Sequence, residues 1–212
     1  YQVPATLNII PHVEYNMGAY ASVSGIYALP QAMRTVAEEL GVEFHFEQAV
    51  ERIKVQGGRA TGVVTASGEH PADVVISNVD ARRTYENLLQ DPEAPYAQRY
   101  RQLEASSSGL VFFWGMKRSF PELTVNNIFF SEDYPAEFNA LFKELRCPDD
   151  PTVYVNITSK VTPADAPEGG ENWFVLVNAP RNDGQDWESE VARTRTSVRR
   201  RLEKALGRRR AH

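Results

Sequence analysis

Val50-Glu51-Arg52-Ile53-Lys54-Val55, Gln56-Gly57-Gly58-Arg59 and Ala60-Thr61-Gly62-Val63-Val64-Thr65-Ala66 follow one another without interruption. Residues 49–55, with Val50, Ile53 and Val55, read as a strand. Two adjacent glycines let the chain reverse tightly, and residues 60–66 return as the antiparallel partner. Ser67-Gly68-Glu69 turns the chain again, so a small antiparallel meander is expected. Downstream, Ala72-Asp73-Val74-Val75-Ile76-Ser77-Asn78 is an apolar run with a polar end, the pattern of a strand buried on both faces of a layered sheet. Asp80 is placed to cap a helix running to Leu89, its carboxylate accepting from the free amides of the first turn.

Upstream of the meander, residues 27–40 place Leu29, Ala32, Met33, Val36, Ala37 and Leu40 at helical spacing, and Gly41 stops that helix. Residues 42–46 then open a strand. Pro11 limits residues 5–15 to a short helix or an irregular entry. Beyond Asp91-Pro92-Glu93-Ala94-Pro95 the pattern changes to longer strands separated by acidic, proline-bearing loops. Strands are expected over 109–117, 125–131, 152–158 and 173–179, with a helix over 135–145. A charged helix over 185–206 closes the chain, its stripe formed by Trp187, Val191, Val198, Leu202, Ala205 and Leu206. The expected class is α+β, with a junction separating residues 1–90 from residues 91–212.

The bulk composition excludes several functions. A chain of 212 residues, 42% apolar and 10% aromatic, is an ordinary globular mixture. Its formal net charge of −5 argues against nucleic acid, which demands clustered cations. One cysteine, Cys147, needs no oxidising compartment, and no long apolar span or signal-like start is present, so a cytoplasmic protein is expected. A chain that opens on Tyr1 rather than Met is expected to be a piece of something longer.

Individual chemical motifs are sparse. His12, His45, His70 and His212 lack the spacing that places two imidazoles on one metal, so no metal site is expected. Ser106-Ser107-Ser108 lacks a glycine-flanked elbow and reads as a strand entry, and Cys147 has no histidine partner in sight. The basic run Arg199-Arg200-Arg201, Lys204 and Arg208-Arg209-Arg210 suits the C-terminal end of a helix dipole, or else an anionic lipid surface. Neither Gly57-Gly58 nor Gly169-Gly170 stands between a strand and a helix, where backbone amides would cradle a pyrophosphate.

Several phrases in order resemble the middle of the bacterial phytoene desaturase family and its FAD-dependent, amine-oxidase-like relatives. These are Ser24-Gly25-Ile26-Tyr27-Ala28-Leu29-Pro30-Gln31-Ala32-Met33, then Val50-Glu51-Arg52-Ile53 with Gly57-Gly58-Arg59-Ala60-Thr61-Gly62-Val63. Ala72 to Asp80, Asn127-Ile128-Phe129-Phe130-Ser131 and Asp149-Asp150-Pro151-Thr152-Val153-Tyr154-Val155 complete the set. The chain departs from the family's two adjacent glycines and methionine by having Ser24, Gly25 and Ile26.

The resemblance implies a longer parent enzyme that uses FAD to dehydrogenate a polyisoprenoid. It implies that residues 1–90 are part of an incomplete FAD domain and that residues 91–212 are a substrate-binding domain. Ser24, Gly25 and Ile26 would lie near the isoalloxazine, and the Val50 backbone near the adenine. Tyr27, Phe113 and Phe129 are candidate pocket residues for an apolar polyene, although aromatic strand residues are also common core. No residue is assigned as catalytic acid or base. The isolated chain is expected to bind FAD poorly and to be inactive. Peripheral membrane contact fits a lipophilic substrate. The alternative is a module without redox chemistry that binds an apolar ligand or a protein partner.

Overall fold

The computed structural model of the chain describes residues 5–18, 20, 22 and 24–208. Its contacts gather into two units, one of Gly41–Ser106 and one of Tyr1–Leu40 with Ser107–His212. The proline-bearing break at 91–95 lies inside the first unit, because an interrupted helix is not interrupted packing. Tyr85 on one side of the break stacks on Tyr96 and Tyr100 beyond it, with ring centroids 5.9 and 6.0 Å apart.

In the unit of Gly41–Ser106, β1 (Val50–Gln56), β2 (Arg59–Thr65) and β3 (Gly68–Pro71) form the expected antiparallel meander. Ile53 lies opposite Val63, and Gly57 and Gly58 turn the hairpin with φ of 56° and 75°. Gly62 has no room for a side chain, since a Cβ there would meet the His70 carbonyl oxygen at 2.3 Å.

Two expected strands are absent. Residues 42–46 form turns and irregular chain, with Phe44 and Phe46 stacked on each other. Residues 72–78 are not a buried strand: after the Ala72 amide bonds to the Thr61 carbonyl, the run leaves the meander, and Val74 and Ile76 are 73% and 91% exposed. A strand needs a neighbour to take its amides and carbonyls, and the described residues offer this run none. Asp80 does cap the next helix, accepting from the amides of Arg82 and Arg83 at 3.0 and 3.3 Å. That helix, α3 (Ala81–Arg83), widens into a π turn over Thr84–Leu88, and α4 (Pro95–Gln102) follows with its proline in the first turn.

In the other unit, α1 (Ile9–Met17) keeps Pro11 in its first turn, where a missing amide costs nothing. Then α2 (Ala28–Glu39) matches the periodicity, yet buries none of its residues. The centre of the unit is an antiparallel sheet of β4 (Ser108–Met116), β5 (Asn126–Phe129), β6 (Val153–Asn156) and β7 (Glu171–Ala179), in the order β4-β7-β6-β5. The edges are therefore β4 and β5.

Alternation assigns the two faces of this sheet. Phe112, Val153, Val155, Trp173, Val175 and Val177 point to one side, and the final helix, α6 (Trp187–Arg208), buries Val198 and Leu202 in the same core. Between β5 and β6 lie α5 (Tyr134–Asn139) and a second π turn over Ala140–Glu144, ended by Leu145 at a left-handed φ of 53°.

Candidate functional site

The outer face of the four-stranded sheet is apolar too. Phe113 on β4 stands in register with Phe174 on β7, and their rings meet edge to face at 5.6 Å. Phe174 in turn lies 6.5 Å from the ring of Tyr154 on β6, and Ile128 on β5 is in register with Tyr154. Phe113 remains 80% exposed. Aromatic rings laid across three strands give a flat, hydrocarbon-like surface that asks for no hydrogen bond.

Polar groups border this surface and are occupied with one another. The Tyr154 hydroxyl donates to Asn126 Oδ1 at 2.8 Å, and Asn156 Nδ2 donates to the same oxygen at 2.9 Å. Asn172 Nδ2 donates to Thr158 Oγ1 at 2.7 Å, and Thr158 Oγ1 donates to Asp165 at 2.5 Å. An open cleft of about 470 Å³ runs here, lined by Phe113, Phe174, Asn156, Asn172 and Pro167 among others. A second cleft of about 480 Å³ lies on the core side by the end of α6, with Trp114, Phe120, Trp173, Leu206 and the guanidinium-bearing Arg118 and Arg199.

Behind the outer face a buried carboxylate fixes the β7 end. Glu171 Oε1 accepts from the Phe120 amide at 2.9 Å and from Lys160 at 2.7 Å, and Glu171 Oε2 accepts from the Trp173 indole at 2.8 Å. Burial pushes this carboxyl up, but the hydrogen bonds from Lys160, the Phe120 amide and Trp173 together outweigh it and leave it below its ordinary range. Burial raises the thiol of Cys147, which is fully enclosed. The thiol is thus a packing residue rather than a nucleophile.

The residues singled out from sequence fall in different places. Ser24, Gly25, Ile26 and Tyr27 form one exposed turn at the head of α2, with Gly25 at φ 78° and open space where a Cβ would stand. Val50 opens β1 of the meander, half exposed, paired with Thr65. Phe113 lies on the outer face. Phe129 points the opposite way and packs against the core, because it is one residue out of step with Ile128. Phe174 and Tyr154, which complete the outer face, went unmarked in the sequence, since register across strands is invisible there. Among the described residues no group of three or more His, Cys, Asp or Glu is placed to hold a metal ion. None of their helices is long and apolar enough to cross a membrane.

The profile of flavin-containing amine oxidoreductases matches residues 8–209. The chain belongs to the flavin-containing amine oxidoreductase family. Among curated members of this amine oxidoreductase family, it is 43% identical over 206 residues to a 1-hydroxycarotenoid 3,4-desaturase of Flavobacterium sp. (strain P99-3), covering 97% of this chain and 42% of that one. It is 40% identical over 197 residues to a zeta-carotene-forming phytoene desaturase of Myxococcus xanthus, covering 92% of this chain and 38% of the relative. The chain thus spans about two fifths of the length of these relatives. Its fold resembles an oxidoreductase from Methanosarcina mazei, with a TM-score of 0.68 at 20% identity over 94% of this chain and 44% of that one.

The described residues fit the family's flavin in part. The turn at Ser24–Tyr27 leaves space beside Gly25 for a flat ring, but the first turn of α2 offers it no free amide, since Ala28, Leu29 and Gln31 already donate to the carbonyls of Gly25, Ile26 and Tyr27 and Pro30 has no N–H. Nothing described suits the pyrophosphate. The strand-to-helix connection that does carry a glycine, from β7 through Gly184 to α6, ends on Asp186, whose carboxylate already takes the Ser189 amide and would repel phosphate.

Proposed function

We propose that this chain is the substrate-side portion of an FAD-dependent, desaturase-type oxidoreductase acting on a polyisoprenoid. The observation that carries the reading is the aromatic outer face of the sheet, exposed at Phe113 while the opposite face is filled by its own core. An extended polyene is apolar and polarizable along its whole length, and such a face binds it by contact area alone. The likeness to a 1-hydroxycarotenoid 3,4-desaturase and a phytoene desaturase supports the substrate class.

In this reading residues 91–212 present the substrate face and residues 1–90 contribute flavin-side elements. Ser24, Gly25 and Ile26 would approach the ring system, the Val50 backbone the adenine, and Tyr27 the substrate. Phe129 would brace the sheet from its core side. Bound in the whole protein, the flavin would supply the two-electron oxidant, taking a hydride equivalent from an allylic C–H bond while a proton leaves the neighbouring carbon to solvent and a C=C bond forms between the two carbons. A cytoplasmic location belongs to the same reading.

The test uses the whole protein containing this chain, reconstituted with FAD and offered a phytoene-like polyene under anaerobic conditions. Flavin absorbance should bleach as conjugation in the polyene lengthens. Replacing Phe113 and Phe174 together by Ala should raise KM by about tenfold with flavin content unchanged. A flavin that stays oxidised with every polyene offered sinks the reading, and polyene binding without flavin reduction would assign the face to a non-catalytic apolar-ligand module.

Contact with an anionic lipid surface is a second reading, favoured by the basic end of α6. The structure weakens it, since Arg201 faces Glu132 and Asp150 at 3.7 and 3.5 Å and Lys204 also reaches Glu132. Flotation with anionic vesicles that is lost at high salt would support it, and no flotation would end it.

A further inference from the structure

The aromatic surface does not stop at β5. Phe130 keeps the outer-face alternation of Ile128, and its ring lies 6.4 Å from Tyr134 at the start of α5. From there the rings continue at intervals of four residues, Tyr134 to Phe138 at 4.8 Å and Phe138 to Phe142 at 5.8 Å. Phe130 and Phe142 are well exposed, and none of the rungs is charged.

Backbone geometry keeps this row straight. Each step of four residues overshoots an α-helical turn by about 40°, so three rungs on a plain α-helix would wind away from a straight line. The wider π turn over Ala140–Glu144 begins between the second rung and the third, contains the third, and takes back part of that rotation. The rings of Phe138 and Phe142 are nearly parallel, their planes 19° apart.

A buried carboxylate on the same helix fastens the row to the sheet. Glu137 Oε2 accepts from Thr152 Oγ1 at 2.7 Å and from Ser131 Oγ at 2.8 Å, while Glu137 Oε1 accepts from Asn178 Nδ2 at 3.4 Å. Thr152 and Asn178 occupy outer-face positions of their strands, so α5 is held over the end of that face.

We infer that Tyr134, Phe138 and Phe142 form a continuation of the polyene-binding face and read the length of the substrate, with Glu137 as their positioning residue. This rests on the polyene reading above. The row adds two ring-to-ring steps, of 4.8 and 5.8 Å, to the track across the sheet. A chain long enough to reach Phe142 gains contact that a shorter one does not.

The experiment uses the whole FAD-loaded protein with two polyenes that share an end group and differ in length by the span of those two ring-to-ring steps. For Phe142→Ala the ratio of KM for the long polyene to KM for the short one should rise about tenfold, and Phe142→Leu, which keeps the apolar bulk, should restore most of it. Phe113→Ala, beneath the part both substrates share, should move both KM values together. A ratio unchanged in Phe142→Ala, or one shifted equally by Phe113→Ala, overturns the length-reading row while leaving the polyene reading intact. A wild-type protein that turns over neither polyene overturns the polyene reading and the row with it.

Discussion

Glu171 joins β7, the segment at Phe120 and Lys160 through a single carboxylate, and its protonation should be felt by the whole sheet. Because its folded pKa lies below the ordinary value of 4.5, its ionisation stabilises the fold above that value, and this contribution is lost as pH falls from there through the folded pKa. Melting temperature followed from neutral to acid pH should therefore drop below about 4.5, and Glu171→Gln should flatten that part of the curve. An unchanged acid slope in the variant would remove Glu171 from the account. Gly62 is a steric case instead, since a methyl group there would collide with the His70 carbonyl. Gly62→Ala should cost about 1–3 kcal/mol in urea unfolding, the usual size of a forced backbone strain.

At the scale of elements, α6 is the clearest case of sequence writing structure. Its stripe of Val191, Val198, Leu202 and Leu206 repeats at helical spacing, and the same residues pack on the core face of the sheet. Leu202→Ala should destabilise that unit by about 2–5 kcal/mol in denaturant titration, through lost burial and the cavity left behind. The meander was equally legible, because a glycine turn sets its register locally. Residues 72–78 were not, because their apolar composition specifies burial without naming what buries them. The strand through Val111-Phe112-Phe113-Trp114 hid its sidedness for a related reason: all four residues are apolar, so nothing in the run distinguishes core from outer face. Phe113 and Phe129, alike in sequence, consequently point to opposite sides.

For the molecule as a whole, the decisive property is which parts of a flavin site the described residues supply. They provide an open turn at Ser24–Tyr27 and lack a glycine loop suited to a pyrophosphate. Titrating this 212-residue chain with FAD should leave flavin fluorescence unquenched at stoichiometric concentrations, and tight one-to-one quenching would contradict the division of labour proposed above. The flavin-side candidates were found only through family resemblance, since no spacing of charged or metal-ligating residues marks them.

The outer border of β4 has a practical consequence. Nine residues, Ser108–Met116, run along it with neither a charge nor a proline to discourage another molecule from adding a strand. Concentrated preparations should stick together along this seam, with turbidity rising steeply with concentration. A single lysine at Phe113, planted as a gatekeeper, should keep them clear.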